Sequence, residues 1–175
     1  MRIDLELELH RRARVWIGEL PRAPDASMTK RLSLDCTGDR GVACFYAVEI
    51  AVPRGGMISY GLLGLHYEPM EATLEFSVGV GTAGPYGDSL VAGDSVHWGL
   101  DAEYAEAVLD QAASVAVTSG LPCGGFAFGP AACCVVGSSP RVFGELSKVL
   151  LSAAAAVPRP ADVKSWREIL EAANW

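Results

Sequence analysis

Residues 1–9 alternate strictly, with Ile3, Leu5, Leu7 and Leu9 on one side and Asp4, Glu6 and Glu8 on the other. That is the period of a strand with one wet face. Residues 14–20 read as a second strand, with Val15 and Ile17 apolar and Trp16 between them, closed by Pro21-Arg22-Ala23-Pro24-Asp25 because proline cannot feed a ladder. A short strand over 30–36 runs into a turn at Thr37-Gly38-Asp39-Arg40-Gly41. Residues 42–52 are rich in β-branched and aromatic side chains and predict a more deeply buried strand, ended by Pro53 and Gly55-Gly56. The stretches 57–67 and 72–80 flank Glu68-Pro69-Met70-Glu71 and predict a hairpin, with Leu74, Phe76, Val78 and Val80 on one face of its second arm. Residues 79–93 hold Gly79, Gly81, Gly84, Gly87 and Gly93 and predict a long loop.

The period changes over residues 94–147, which predict a helix, a short hairpin and a second helix. The first helix spans 101–119: Asp101 is a good N-cap, Glu103 and Glu106 suit the positive end of the dipole, and Gly120 is a natural C-cap. Tyr104, Val108, Leu109, Ala112, Val115 and Ala116 recur at helical spacing and supply its packing side. Residues 125–128 and 131–136 are strand-like about Gly129-Pro130. The run Ala131-Ala132-Cys133-Cys134-Val135-Val136 is apolar throughout, as in a central strand covered on both faces. Ser139 and Pro140 open a helix over 140–156, striped by Val142, Phe143, Leu146, Val149, Leu150 and Ala153. In the C-terminal part, 161–173, a last helix from Asp162 presents Val163, Trp166, Ile169 and Leu170 and is expected to dock as a lid. The expectation is a single α+β domain over 1–175, strand-rich over 1–80, whose antiparallel or mixed sheet carries two or three helices on one face.

A chain of 175 residues, half of them hydrophobic and 20% charged, builds one folded domain with a real core. No apolar run reaches the ~20 residues that cross a bilayer, and the start lacks the basic-then-apolar pattern of a signal, so a cytoplasmic, non-membrane protein is expected. Five cysteines (Cys36, Cys44, Cys123, Cys133, Cys134) show no CxxC spacing and no nearby histidine pair. They suggest neither a disulfide framework nor a zinc site, and are expected to be reduced and mostly buried.

Charge changes the functional picture. The net charge is −7, and between Arg54 and Arg141 there is no lysine or arginine, whereas nine acids fall there: Glu68, Glu71, Glu75, Asp88, Asp94, Asp101, Glu103, Glu106 and Asp110. Gripping a phosphate backbone depends on basic side chains displacing counterions, so this segment is unfit for RNA or DNA. A basic protein partner fits an acidic face better, and simple solvation of that face is the plainer reading.

Candidate chemistry is sparse. There is no GxxxxGK[ST] and no GxGxxG between strand and helix, so no nucleotide cofactor is indicated, and His10, His66 and His97 form no HxxxH or HExxH pattern, so no metal is indicated either. His97 stands out because it lies with Asp94 and Trp98 just before a helix. A catalytic alternative pairs Cys123 as attacking thiolate with His97 as its base and Asp94 nearby. Cys133 and Cys134 are adjacent on a strand, point to opposite faces and are expected to fill core. Binding candidates are Tyr86, Asp88 and Ser89 in the loop, with Asp94, His97 and Trp98 after it. Arg11, Arg12, Arg14 and Arg22 supply an RNA-binding alternative.

At Tyr86-Gly87-Asp88-Ser89-Leu90 and at Trp98-Gly99-Leu100-Asp101-Ala102-Glu103-Tyr104-Ala105-Glu106-Ala107-Val108, with the small-residue segment that follows, the chain resembles domain IV of translation elongation factor G. The resemblance covers about residues 72–157. Asp101 stands where that family tends to place proline, and Leu121-Pro122-Cys123-Gly124-Gly125 and Gly137-Ser138-Ser139 lack its polar tip residues. The resemblance implies a ribosomal protein S5 domain 2-like fold and a ribosome-associated ancestry, although the absence of bases over 55–140 disfavours a ribosome or RNA contact. The leading expectation is a non-enzymatic bacterial interaction module that binds protein through its acidic face or through residues 79–97.

Overall fold

The computed structural model describes residues 1–91 and 96–175. Alternating edge stretches and more continuously apolar central ones build eight strands among them: β1 (Arg2–Glu6), β2 (Arg12–Ile17), β3 (Met28–Asp35), β4 (Cys44–Arg54), β5 (Met57–Pro69), β6 (Thr73–Pro85), β7 (Val96–Leu100) and β8 (Gly124–Cys134). They form one sheet in the order β1-β2-β4-β5-β8-β7-β6-β3. The first half of β6 pairs with β8 in parallel, and its second half diverges to pair with β7, which is wedged antiparallel against the far end of β8. The remaining ladders are antiparallel.

Three helices complete the α+β fold: α1 (Ala102–Ser119), α2 (Pro140–Ala155) and α3 (Val163–Ala172). α1 and α2 lie side by side on one face, α1 over β6 and α2 over β5 and β4. Their buried stripes, including Val108, Ala112, Phe143, Leu146 and Leu150, meet Val48, Ile50, Leu63, Leu65, Phe76 and Phe126 from the sheet. α2 comes so close to β5 that a Cβ on Gly61 would stand 2.9 Å from Leu146 and Val142. Local chemistry starts the helices: Ser139 Oγ accepts from Val142 N and Asp162 Oδ1 from Ser165 N, whereas Asp101 makes no side-chain cap bond. Trp166 anchors α3, fully buried and edge-on to Tyr46 with ring centroids 5.2 Å apart.

Four sequence expectations are corrected. Residues 57–67 and 72–80 form no hairpin, because β8 inserts between β5 and β6. Glu68-Pro69-Met70-Glu71 lacks the Asn-Gly or Asp-Gly pair that locks a tight hairpin, and the insertion places Phe126 against both Tyr67 and Phe76 (centroids 4.6 and 5.3 Å). Residues 125–136 are likewise not a hairpin: β8 runs straight through Gly129-Pro130, opposite the point where the β5 register shifts between Leu63 and Leu65. Gly64 leaves room there, since a Cβ would meet the Gly129 backbone. Ala131–Cys134 is buried as expected, but Val135 and Val136 lie in the exposed turn that follows. Finally, much of the glycine-rich stretch is strand, because β6 continues to Pro85.

Candidate functional site

On β4 the side chains of Tyr46, Val48 and Ile50 face the helices, which turns Ala47, Glu49 and Ala51 to the opposite face. Glu49 is fully buried there. A charge so placed demands partners. Oε1 accepts from Tyr60 OH (2.9 Å) and the Leu90 amide (2.7 Å), and Oε2 accepts from Arg14 Nη1 (3.2 Å), with Tyr86 OH at 3.5 Å. Arg14 is the ladder partner of Glu49 and also donates to Asp4 Oδ1 (2.8 Å) and the Asp88 carbonyl (2.5 Å). Arg2 and Arg12 add bonds to Asp88 Oδ2 and the Leu90 carbonyl at 3.0 and 2.7 Å.

These bonds fasten residues 86–91 onto the sheet over a second apolar cluster that includes Trp16, Tyr60, Leu62, Tyr86 and Val91. Desolvation raises the Glu49 carboxyl against the Leu90, Tyr60 and Arg14 contacts that lower it. Burial, then the Glu49 charge, pushes the Tyr86 phenol up to about 12 and raises Tyr60 further still. The Arg14 hydrogen bond holds Asp4 below its ordinary value despite partial desolvation. Because its oxygens are fully engaged, Glu49 has nothing left for substrate; the group is a clamp. Its one sequence signal is a lone acid between Ala47 and Ala51 in an otherwise apolar strand.

The predicted site residues therefore separate. Tyr86 and Asp88 belong to the clamp, and Ser89 Oγ donates to the Val91 carbonyl. Trp98 packs on Tyr86 with centroids 4.4 Å apart. Arg14 is buried and Arg12 is tied to Leu90, so the N-terminal arginine group expected for RNA is largely spent inside the fold, while Arg11 Nε donates to the Glu8 carbonyl and Arg22 stays exposed. Asp94 lies outside the described residues.

The proposed nucleophile fails on covalent grounds. Cys123 is bonded to Cys36 across a separation of 87 residues, which corrects both the expected thiolate and the expectation that all cysteines are reduced. Spacing gave no hint of the pair, because the fold alone brings the end of β3 to the start of β8. His97 stands opposite Cys133 in the β7–β8 ladder, beside a 330 Å³ hollow that Asp101 and Tyr104 also line. Burial pushes the Cys133 thiol up to about 11, with Asp101 adding to the rise, so it is held as an unreactive thiol. Titrating the denatured, unreduced chain with a thiol reagent is expected to count the three free cysteines Cys44, Cys133 and Cys134, and the native chain should react slowly at all three. A count of five would contradict the bridge.

Two of the other openings adjoin the disulfide and the open sheet face. The larger, 690 Å³, lies beside the disulfide with Val42, Leu121, Pro122 and Val157 in its walls. Its cations are already engaged, Arg40 with Glu71 and Arg159 with the Ala43 carbonyl and the Tyr67 ring. The other, 260 Å³, runs along the sheet face away from the helices, where the clamped loop does not reach. Gly125 on β8 pairs with Glu68 on one side and Glu75 on the other, and Ala127 pairs with His66 and Ser77. The floor of this channel is thus glycine and alanine, its walls carry carboxylates, and Ala127 is exposed although it lies on an interior strand.

The sequence matches no family model, and comparison with curated proteins and with solved structures finds no match. Function must therefore be argued from this geometry.

Proposed function

We propose that this chain is a non-catalytic module that binds a basic protein. The observation that carries the reading is the state of the acids in the base-free segment. Asp101, Glu103, Glu106 and Asp110 are exposed on and beside α1, and among the described residues only Glu106 has an ion-pair partner, Lys30. Unpaired surface carboxylates of one sign steer and orient an oppositely charged partner. The Cys36–Cys123 bridge persists wherever the surroundings are oxidising enough to keep it. The elongation factor G resemblance would make the partner a ribosome-associated one.

The test is retention from a native extract on the immobilised chain. A basic protein should be held at about 0.05 M salt and released by about 0.5 M, where screening is severe. Replacing Asp101, Glu103, Glu106 and Asp110 with their amides should weaken retention and leave the thermal midpoint close to the parent. Retention of acidic proteins, or of none, would overturn the reading, and retained ribosomes would identify the partner class that the resemblance implies.

A further inference from the structure

We propose that the channel on the open sheet face receives an arginine side chain of the basic partner, seated on Gly125 and Ala127 between Glu68 and Glu75. This rests on the partner reading above and adds the place and chemistry of recognition.

Register carries the inference. Glu68, Gly125 and Glu75 form one row across β5, β8 and β6, and His66, Ala127 and Ser77 form the next. Strands lie about 4.8 Å apart, so the two glutamate Cα atoms stand about 10 Å from each other, with no side chain from Gly125 between them and the Met70 thioether alongside. That gap suits a planar guanidinium, whose fork can meet a carboxylate on each edge while its flat face lies on the backbone of the floor. Neither glutamate is paired with lysine or arginine among the described residues; Glu68 has only His66 Nε2 at 3.1 Å, and that buried nitrogen makes no hydrogen bond. Arg31 on β3 stands across from Ser77 and, among the described residues, forms no ion pair with either.

The apolar surroundings fit an arginine stem. Phe45 stacks on His66 with centroids 4.1 Å apart and an interplanar angle of 15°, backing the imidazole that lines the channel. Met70 closes one end, its sulfur 3.2 Å from where a Gly125 Cβ would be. A metal ion is a poorer occupant, since no three metal-ligating side chains converge among the described residues. The complementarity is of charge and shape together: a low strip of Gly125 and Ala127, with the Met70 thioether at one end, flanked by two carboxylates in a base-free stretch of sequence.

The experiment is an amide-resolved NMR titration of the intact chain with N-acetyl-arginine methylamide, using the neutral citrulline analogue as control. Shifts should appear at Ser77, Gly125 and Ala127 with arginine and be absent with citrulline. The Glu68→Gln/Glu75→Gln variant should lose affinity by about tenfold, as expected for removing charge-assisted bonds, with its other amide resonances unmoved, which shows that it still folds. Ala127→Leu, which fills the floor and keeps both charges, should also abolish the shifts. Equal response to citrulline, or unchanged binding in the double variant, overturns the channel. Shifts confined to α1 overturn the channel and leave the basic-partner reading standing, whereas no response anywhere, together with no basic protein retained from extract, overturns both.

Discussion

Replacing Cys36 and Cys123 together with alanine is expected to lower unfolding free energy by about 4 kcal/mol, within the usual range of about 2–5 for a native bridge. The size follows from the 87-residue separation that the bond spans, because cross-linking distant points removes more freedom from the unfolded chain than closing a short loop does. Place matters as well. β3 is an edge strand that, among the described residues, pairs only with β6, and the bridge ties the residue after its last position to the residue before β8. Around it the Cys123 amide donates to the Asp39 carbonyl (3.0 Å), so the bond also fixes the connection that lines the larger hollow. Urea unfolding of the variant should show the lowered midpoint, and hydrogen exchange should quicken first along β3. An unfolding free energy within about 0.3 kcal/mol of the parent would mean that the bridge contributes no constraint.

Arg14→Met should cost about 3–5 kcal/mol, because it strands a fully buried carboxylate without its counter-charge. Companion Glu49→Leu in the same chain should recover most of the loss, since the site then holds apolar groups of similar size in place of one unpaired ion. The pH dependence has a defined sign. Desolvation sets the Glu49 carboxyl above its ordinary value of 4.5, so the folded chain binds that proton more tightly than the unfolded one. Its contribution is present in full below the unfolded value and is lost as pH rises through the raised folded value. Removing the Arg14 guanidinium raises the carboxyl further, so the deficit of Arg14→Met should be larger at about pH 8 than at about pH 5. Asp4, held low by Arg14, acts oppositely, and its contribution disappears as pH falls below its ordinary 3.8. A deficit that does not change between those two pH values would show that Glu49 is not the stranded group.

The same clamp explains why Tyr86 and Asp88 read differently in sequence and in space. A polar, glycine-containing stretch between strands looks available to a partner, yet Tyr86 is buried and Asp88 pairs with Arg2 and Arg14 from sheet positions more than seventy residues away. The candidate channel was equally hidden. Glu68 and Glu75 are visible as acids, but nothing short of the ladder shows that Gly125 separates them. His97 and Cys133 are brought side by side, though the sequence pointed to Cys123 as the thiol.

What the chain determines by itself is short-range. Period-2 alternation over Ile3–Leu7, the helical stripes of α1 and α2, the caps at Ser139 and Asp162, and the stop at Gly120, whose φ is +55°, are set by residues a few positions apart, where steric preference and side-chain-to-backbone bonds act without help from the rest of the fold. Only the tertiary structure decided the neighbours: β8 between β5 and β6, Cys36 against Cys123, and Glu49 beneath residues 86–91. Those pairings depend on which burial of apolar surface is best over the whole sheet, and no local pattern encodes the choice among distant partners of similar hydrophobicity.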